Sequence, residues 1–333
     1  AALILTVWSS TEAESGDPSL EYVGNYDTIW IITISGNYAY VAGTDGLEII
    51  NIEDKTNPTL AGKYDNDTTT VRDVAISGNY AYLAVPEALK IVDIEDPTNP
   101  TLAGIYSGGY TGWGVYTSVT ISGNYAYTII EERSQGKEGR LYILNIEDPV
   151  NLTFVGSYES TDPELGPEFG GYVKAVTVSG NYAYVNIMNN SGDYYCGAHE
   201  SELTNPHACR SKFVILNIED LSNPTFVGSY EFLGDHYAER ISISGNYAYC
   251  SYRWLGVVIV NIEDPTNPTF AGSYDDGAAG DLAISGDYVY VSEEERLVIL
   301  RITDAGEDEE GIPSISLIPA LISIGLLAIF RRK

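Results

Sequence analysis

The sequence predicts an all-β fold, a six-bladed propeller of four-stranded antiparallel blades, and three recurring phrases predict it. The first, Ser-Gly-Asn-Tyr-Ala-Tyr, starts at Ser35, Ser77, Ser122, Ser179 and Ser244, and returns as Ser-Gly-Asp-Tyr-Val-Tyr from Ser285. The second is an apolar pentad: "LEIIN" (47–51), "LKIVD" (89–93), "LYILN" (141–145), "FVILN" (213–217), "VVIVN" (257–261) and "LVILR" (297–301). The third, mostly Asn-Pro-Thr and then two apolar residues, Gly, any residue and Tyr, ends at Tyr64, Tyr106, Tyr158, Tyr230 and Tyr274.

Each phrase is a short run rich in Val, Ile, Tyr and Thr bounded by Gly, Asn, Asp or Pro, the composition of a strand between turns. Strand A is the run ahead of Ser-Gly-Asn, a hairpin signal because Gly and Asn accept positive φ at little steric cost. Strand B carries the Tyr-x-Tyr pair, whose i, i+2 spacing puts both rings on one face to fill the wedge between blades. Strand C is the pentad. The Ile-Glu-Asp-x-x-Asn-Pro stretch that follows is a turn, its Asx side chains able to bond the backbone and its Pro ending the ladder. Strand D is the third phrase, completing a unit of about 42 residues.

The sixth unit stops after Arg301 without its third phrase, and a copy of that phrase stands at the front as "SLEYVGNY" (Ser19 to Tyr26). This offset predicts that the N-terminal strand pairs alongside Leu297 to Ile302, closes the last blade and leaves no open edge. The expected organisation is an extension or signal-peptide remnant over 1–17, a propeller over 18–304, an acidic spacer over 305–311 and a hydrophobic tail over 312–333.

The pentads, most clearly within "GLEIINIEDKTNPTLAGKYD" (Gly46 to Asp65), resemble those of the LVIVD-repeat family of β-propellers over roughly residues 19–304. That resemblance implies the fold and an extracellular surface setting, and little about activity.

Residues 312–330, "IPSISLIPALISIGLLAIF", are apolar and end in Arg331, Arg332 and Lys333, which reads as a transmembrane-type helix with a cytoplasmic basic end. Behind the spacer "GEDEEG" this tail resembles archaeal sorting signals of the PEF-CTERM and PGF-CTERM type, although Ile312-Pro313-Ser314 replaces the defining tripeptide. The start, "AALILTVWSS", reads as the end of a signal-peptide apolar region, with a short extra strand as the alternative. Sequons at Asn66, Asn151 and Asn189 agree with an exported chain. The net charge of −30 makes nucleic acid an unsuitable partner, because phosphate binding needs basic patches.

In an antiparallel blade the A–B and C–D turns share one end, and the B–C loop and D–A crossover share the other. From pentad end to the Tyr of the third phrase the spacing is 13 in every complete copy (51 to 64, 93 to 106, 145 to 158, 217 to 230, 261 to 274). From the Ser of the first phrase to the pentad end it runs 16, 16, 23, 38, 17 and 16. Insertions thus fall on one end, with the longest in blades 3 and 4, and binding residues concentrate on such loops. The same topology predicts that both termini leave from the invariant end.

The long loops and their flanks offer Tyr110, Trp113, Tyr116, Phe169, Tyr172, Tyr194, Tyr195, Tyr237 and Trp254 as ligand-binding aromatics, against packing beneath their own loops. The blade 4 insert holds Cys196, His199, His207 and Cys209. A Cys196–Cys209 disulfide suits an exported chain, while a four-ligand zinc site and free thiols stay open. The inner ends of the A strands carry Arg72, Asp73, Lys174, Glu239, Arg240 and Asp281, which could ring the mouth of a central channel. A role there in acid–base work or ion binding stands against mutually neutralising pairs around a wet channel.

The expected function is a non-catalytic, cell-surface-anchored module for recognition, adhesion or envelope structure, working through the long-loop face of blades 3–5. The alternative is an extracellular hydrolase or lyase with a metal-assisted site at the channel mouth. No cofactor is expected, and a structural divalent cation stays open. The expected partners are a cell-envelope protein or glycan, the membrane through the C-terminal segment, and a second copy of the chain.

Overall fold

The computed structural model describes residues 3–7, 21–26, 31–44, 46–54, 58–65, 70–108, 114–132, 139–159, 171–189, 211–232, 238–252, 256–274, 279–285, 288–293, 296–303 and 314–317. These residues form one two-stranded sheet and six four-stranded antiparallel sheets, each of the six built from four strands in the order A–B–C–D. Sheet one runs Ile31–Ser35, Tyr38–Gly43, Gly46–Asn51 and Thr59–Tyr64, and sheets two to five repeat that plan from Asp73, Gly114, Gly171 and Ala238. Sheet six begins at Leu282.

The repeated phrases do what their chemistry suggests. Gly36, Gly78, Gly123, Gly180 and Gly245 all sit at φ of 55 to 58°, the left-handed conformation that the A–B hairpin needs. At the other turn, Asn51, Asp93, Asn145, Asn217 and Asn261 each accept the backbone N–H two residues on at 2.8 to 2.9 Å, forming Asx turns.

Sheets pack face to face in sequence order. Tyr40, Leu47 and Ile49 of sheet one meet Val74, Leu83 and Val92 of sheet two. Tyr82, Tyr127, Tyr184 and Tyr249 occupy the corresponding place between each later pair. Complete burial of one such Leu or Ile contributes about 1.5–3 kcal/mol, so these wedges dominate stability.

Strand D carries a device that the sequence reading did not interpret. In sheets one to five the C–D register slips by one residue at Ala61, Ala103, Val155, Val227 and Ala271, a β-bulge just ahead of the Gly of the third phrase. A Cβ on that Gly would stand 2.2 Å from Pro97 O at Gly62, 3.0 Å from Pro149 O at Gly104, 2.1 Å from Leu221 O at Gly156 and 2.4 Å from Pro265 O at Gly228. Each Gly therefore lets the C–D turn of the next sheet press against its backbone.

Three expectations are corrected. Glu21–Tyr26 pairs with Leu3–Val7 in the two-stranded sheet, and does not lie alongside Leu297–Ile302. A partner close in the chain closes a shorter loop, and "LILTV" supplies an apolar strand for it. The outer strand of sheet six is instead Ser314–Leu317, which pairs Leu300 with Leu317 and Thr303 with Ser314. These four residues are strand where a C-terminal helix was expected: they alternate polar and apolar, and Pro313 and Pro319 flank them, which disfavours a helix interior. Because this strand runs antiparallel to strand C, the chain reaches Leu317 heading toward the long-loop end, not the invariant end. No described helix is long and apolar enough to cross a membrane, and 318–333 lies outside the described residues.

Candidate functional site

The six A strands converge on one cavity of about 370 Å³, lined from sheet one to sheet six by Thr33, Asp73, Ser118, Ala175, Arg240 and Asp281 among others. Toward the long-loop end lies a second chamber of about 200 Å³. Ser118, Arg240 and Asp281 line both, so they form the floor between the two.

That floor is an ion-pair bridge between sheets two and five. Arg240 Nη1 donates to Asp73 Oδ2 at 3.0 Å and Nη2 to Oδ1 at 3.1 Å, while Nε lies 3.0 Å from Asp281 Oδ1. Asp73 also accepts from Ser118 Oγ and the Val119 N–H through Oδ2 and from the Val74 N–H through Oδ1. Five donors on one carboxylate satisfy its lone pairs and explain how a charge can sit with only 4% of its side chain exposed. Asp73 above all, and Asp281 after it, push the Arg240 pKa upward against the opposing effect of burial, so the guanidinium stays charged.

Above the floor the wall is shaped by bulges. In sheets three, four and five the A–B register slips at Thr117, Lys174 and Glu239, the same place in each strand. All three line the upper chamber, together with Arg72. A bulge re-aims a side chain that regular alternation would send elsewhere. Lys174 Nζ donates to Glu131 Oε1 at 2.7 Å, tying sheet four to sheet three.

The structure thus brings Arg72, Asp73, Lys174, Glu239, Arg240 and Asp281 to one place, with Asp73 beneath and the other five around the upper chamber. The sequence reading missed Thr117, Ser118 and Glu131, although the consecutive Thr-Ser pair inside this A strand was a visible signal. Among the described residues no group of three or more His, Cys, Asp or Glu side chains could hold a metal ion.

The aromatic candidates fare differently. Tyr116 is a correction: at 2% exposure it packs with Tyr82, Leu89 and Tyr142 between sheets two and three, and burial raises its hydroxyl pKa. The same position, six residues ahead of the first-phrase Ser, is also buried as Val71, Val173, Ala238 and Ala279. Tyr172 lies in strand A of sheet four and Asn189 ends strand B of that sheet. Asn151 is exposed, and its amide donates to Asp148 within a C–D turn. Tyr110, Trp113, Phe169, Tyr194, Tyr195, Tyr237, Trp254 and Asn66 lie outside the described residues, as do Cys196, His199, His207 and Cys209. Cys250 is a buried free thiol.

No curated protein matches this chain. Among solved structures it is similar to a protein from Lactobacillus plantarum, at 13% identity and TM-score 0.67, over 95% of this chain and 94% of that one. It is similar to the periplasmic gluconolactonase of Pseudomonas aeruginosa at 14% identity and TM-score 0.63, over 96% of this chain and 100% of that one. A third is a putative 6-phosphogluconolactonase from Bacteroides uniformis, at 13% identity and TM-score 0.60, over 84% and 81%. At such identities the likeness speaks for a propeller-like fold alone. The LVIVD repeat model matches residues 29–66, 69–108, 114–160, 170–196, 208–231, 235–276 and 276–305, the fourth unit being split by its insert. The chain belongs to the LVIVD-repeat family.

Proposed function

We propose that the six four-stranded sheets close into a six-bladed propeller that works as a non-catalytic binding module, with the long-loop end as its ligand face. One observation carries this reading. The A strands of sheets three and four, Gly114–Ser122 and Gly171–Ser179, have nine residues each, whereas those of sheets one and two have five. Their B strands have eight against six. All of the added length lies at the long-loop end, so sheets three and four stand as a raised rim beside the chamber while the turn end stays uniform. A rigid scaffold with one elaborated end is the arrangement that binding proteins use.

The partner class we propose is a cell-envelope protein or glycan met outside the cell, in keeping with the charge of −30 and the three sequons. Deleting 190–210 and comparing binding of the full and shortened chains to purified envelope glycans and envelope protein tests this. Loss of binding with an unchanged unfolding midpoint is expected; equal binding by both chains would remove that loop from the site.

A second reading, a hydrolase, draws on the carboxylates Glu131, Glu239 and Asp281 near one chamber and on the lactonases among the similar folds. Turnover of an aldonolactone with and without added divalent metal separates the two: turnover that Glu239→Gln abolishes would replace the binding module with an enzyme.

A further inference from the structure

The upper chamber contains an electrostatic arrangement that the floor does not use. Arg72 immediately precedes Asp73, the first residue of sheet two, and Glu239 and Arg240 are consecutive in sheet five. Asp73 and Arg240 satisfy each other across the floor. Their neighbours carry the reversed polarity one residue nearer the mouth, and both line the upper chamber. Neither Arg72 nor Glu239 forms a side-chain ion pair among the described residues, whereas Lys174, Arg240 and Asp281 beside them do. The hydroxyl of Thr117, which lines the same chamber on the bulge of sheet three, is buried without a hydrogen-bond partner.

A cation, an anion and an unpartnered hydroxyl around a cavity of about 200 Å³ make a poor structural motif and a good receptor. Glu239 and Thr117 stand on bulges at one level that aim both toward the chamber, and a buried hydroxyl without a partner carries a desolvation cost that a ligand can relieve. A simple anion would satisfy Arg72 but meet Glu239 and Asp281. A simple cation would meet Arg72, Lys174 and Arg240. A molecule that carries both signs meets neither objection.

We propose that the upper chamber binds a small zwitterion, its carboxylate on the Arg72 guanidinium, its ammonium on the Glu239 carboxylate and a polar atom on the Thr117 hydroxyl. This deepens the binding reading above and rests on it. Arg72 suits the carboxylate because its planar donors can engage both oxygens, and Glu239 accepts the ammonium protons without a competing cationic partner among the described residues.

Calorimetric titration of the full chain tests the assignment, with glycine, L-alanine and γ-aminobutyrate as zwitterions and acetate and ethylammonium as one-charge controls at equal ionic strength. At least one zwitterion is expected to bind, with both controls at least about tenfold weaker, the loss expected when one charged hydrogen bond is removed. Arg72→Gln and Glu239→Gln should each weaken binding by about tenfold or more, and the exchanged pair R72E/E239R should recover part of it. Thermal midpoints of all variants show that they fold, since neither side chain belongs to the floor bridge. Equal binding of the controls, indifference to both substitutions, or no heat with any zwitterion at millimolar concentration would each overturn the proposal. If zwitterions fail while envelope binding still depends on 190–210, the assignment falls and the binding module stands.

Discussion

Arg240 of the fifth sheet holds Asp73 of the second with two hydrogen bonds, 3.0 Å from Nη1 to Oδ2 and 3.1 Å from Nη2 to Oδ1, and so ties together sheets far apart in the chain. The pair is asymmetric: 4% of the Asp73 side chain is exposed, against 27% for Arg240. Removing the arginine strands a buried carboxylate, which costs more than the pair itself is worth. Arg240→Met should therefore lower stability by about 3 kcal/mol or more, measured as the urea midpoint at constant slope. Asp281→Asn, at a side chain 42% exposed, should cost less than about 1 kcal/mol. Similar losses from both would mean that the bridge is not the element closing the centre.

The glycines separate two jobs that a repeat alignment alone would merge. At Gly78 nothing lies within 4 Å of an added Cβ, and the only obstacle is a φ of 55°. At Gly156 the Cβ would stand 2.1 Å from the Leu221 carbonyl of the next sheet. Gly78→Ala should cost about 1 kcal/mol through left-handed strain alone. Gly156→Ala should cost about 3 kcal/mol, because two sheets must part to admit a methyl group. Chemical denaturation of both variants checks the order, and a reversed order would contradict the packing of strand D on the neighbouring turn.

How legible this molecule was in its sequence depends on the range of the interaction. Ser-Gly-Asn hairpins, Asx turns and Tyr-x-Tyr wedges are decided within a few residues, and each stands where the phrases put it. The six charged residues at the inner ends of strand A line the two chambers, because topology alone brings those ends together. What failed was the outer strand of sheet six. "SLEYVGNY" has the strand D signature, yet Glu21–Tyr26 pairs with Leu3–Val7, since edge pairing is a contest between segments that pattern cannot rank. Tyr116 failed for a related reason: the position six residues ahead of the first-phrase Ser is core in sheet after sheet, as at Val71 and Val173, whatever side chain stands there. The bulges at Thr117, Lys174 and Glu239 left no mark in the pattern, because a register slip is fixed by the partner strand.

The tyrosines of strand B give an alkaline signature. Burial first, and the neighbouring Tyr80 and Tyr247 second, push Tyr82 and Tyr249 up to about 12 from the ordinary value of 10.0. The unfolded chain ionises these phenols near the ordinary value and the folded chain later, so the folded state holds more protons between the two. Their contribution is fully present below pH 10 and declines as pH rises toward about 12. Absorbance at 295 nm should show a late-titrating class that Tyr82→Phe and Tyr249→Phe each reduce, and the double variant should lose stability more gently with rising pH. A single titration class at the ordinary value in the folded protein would contradict the burial of these rings.

On the acid side the C–D turns set the behaviour. Asp96, Asp148, Asp220 and Asp264 are held below the ordinary carboxylate value of 3.8, chiefly by the side-chain donors Thr98, Asn151, Ser222 and Thr266 and then by backbone N–H groups. A carboxylate whose folded value is depressed contributes stability above its unfolded value and loses it as pH falls through the folded one. These turns are fully solvated, so the effect of each is small and fades with added salt, but four copies titrate together. Asparagine keeps the turn acceptor and removes the charge. The fourfold Asp→Asn variant should therefore fold normally at pH 7 and lose much of the decline in unfolding midpoint that the parent shows below pH 3.8. An unchanged acid limb in that variant would mean that these turns do not set the acid sensitivity.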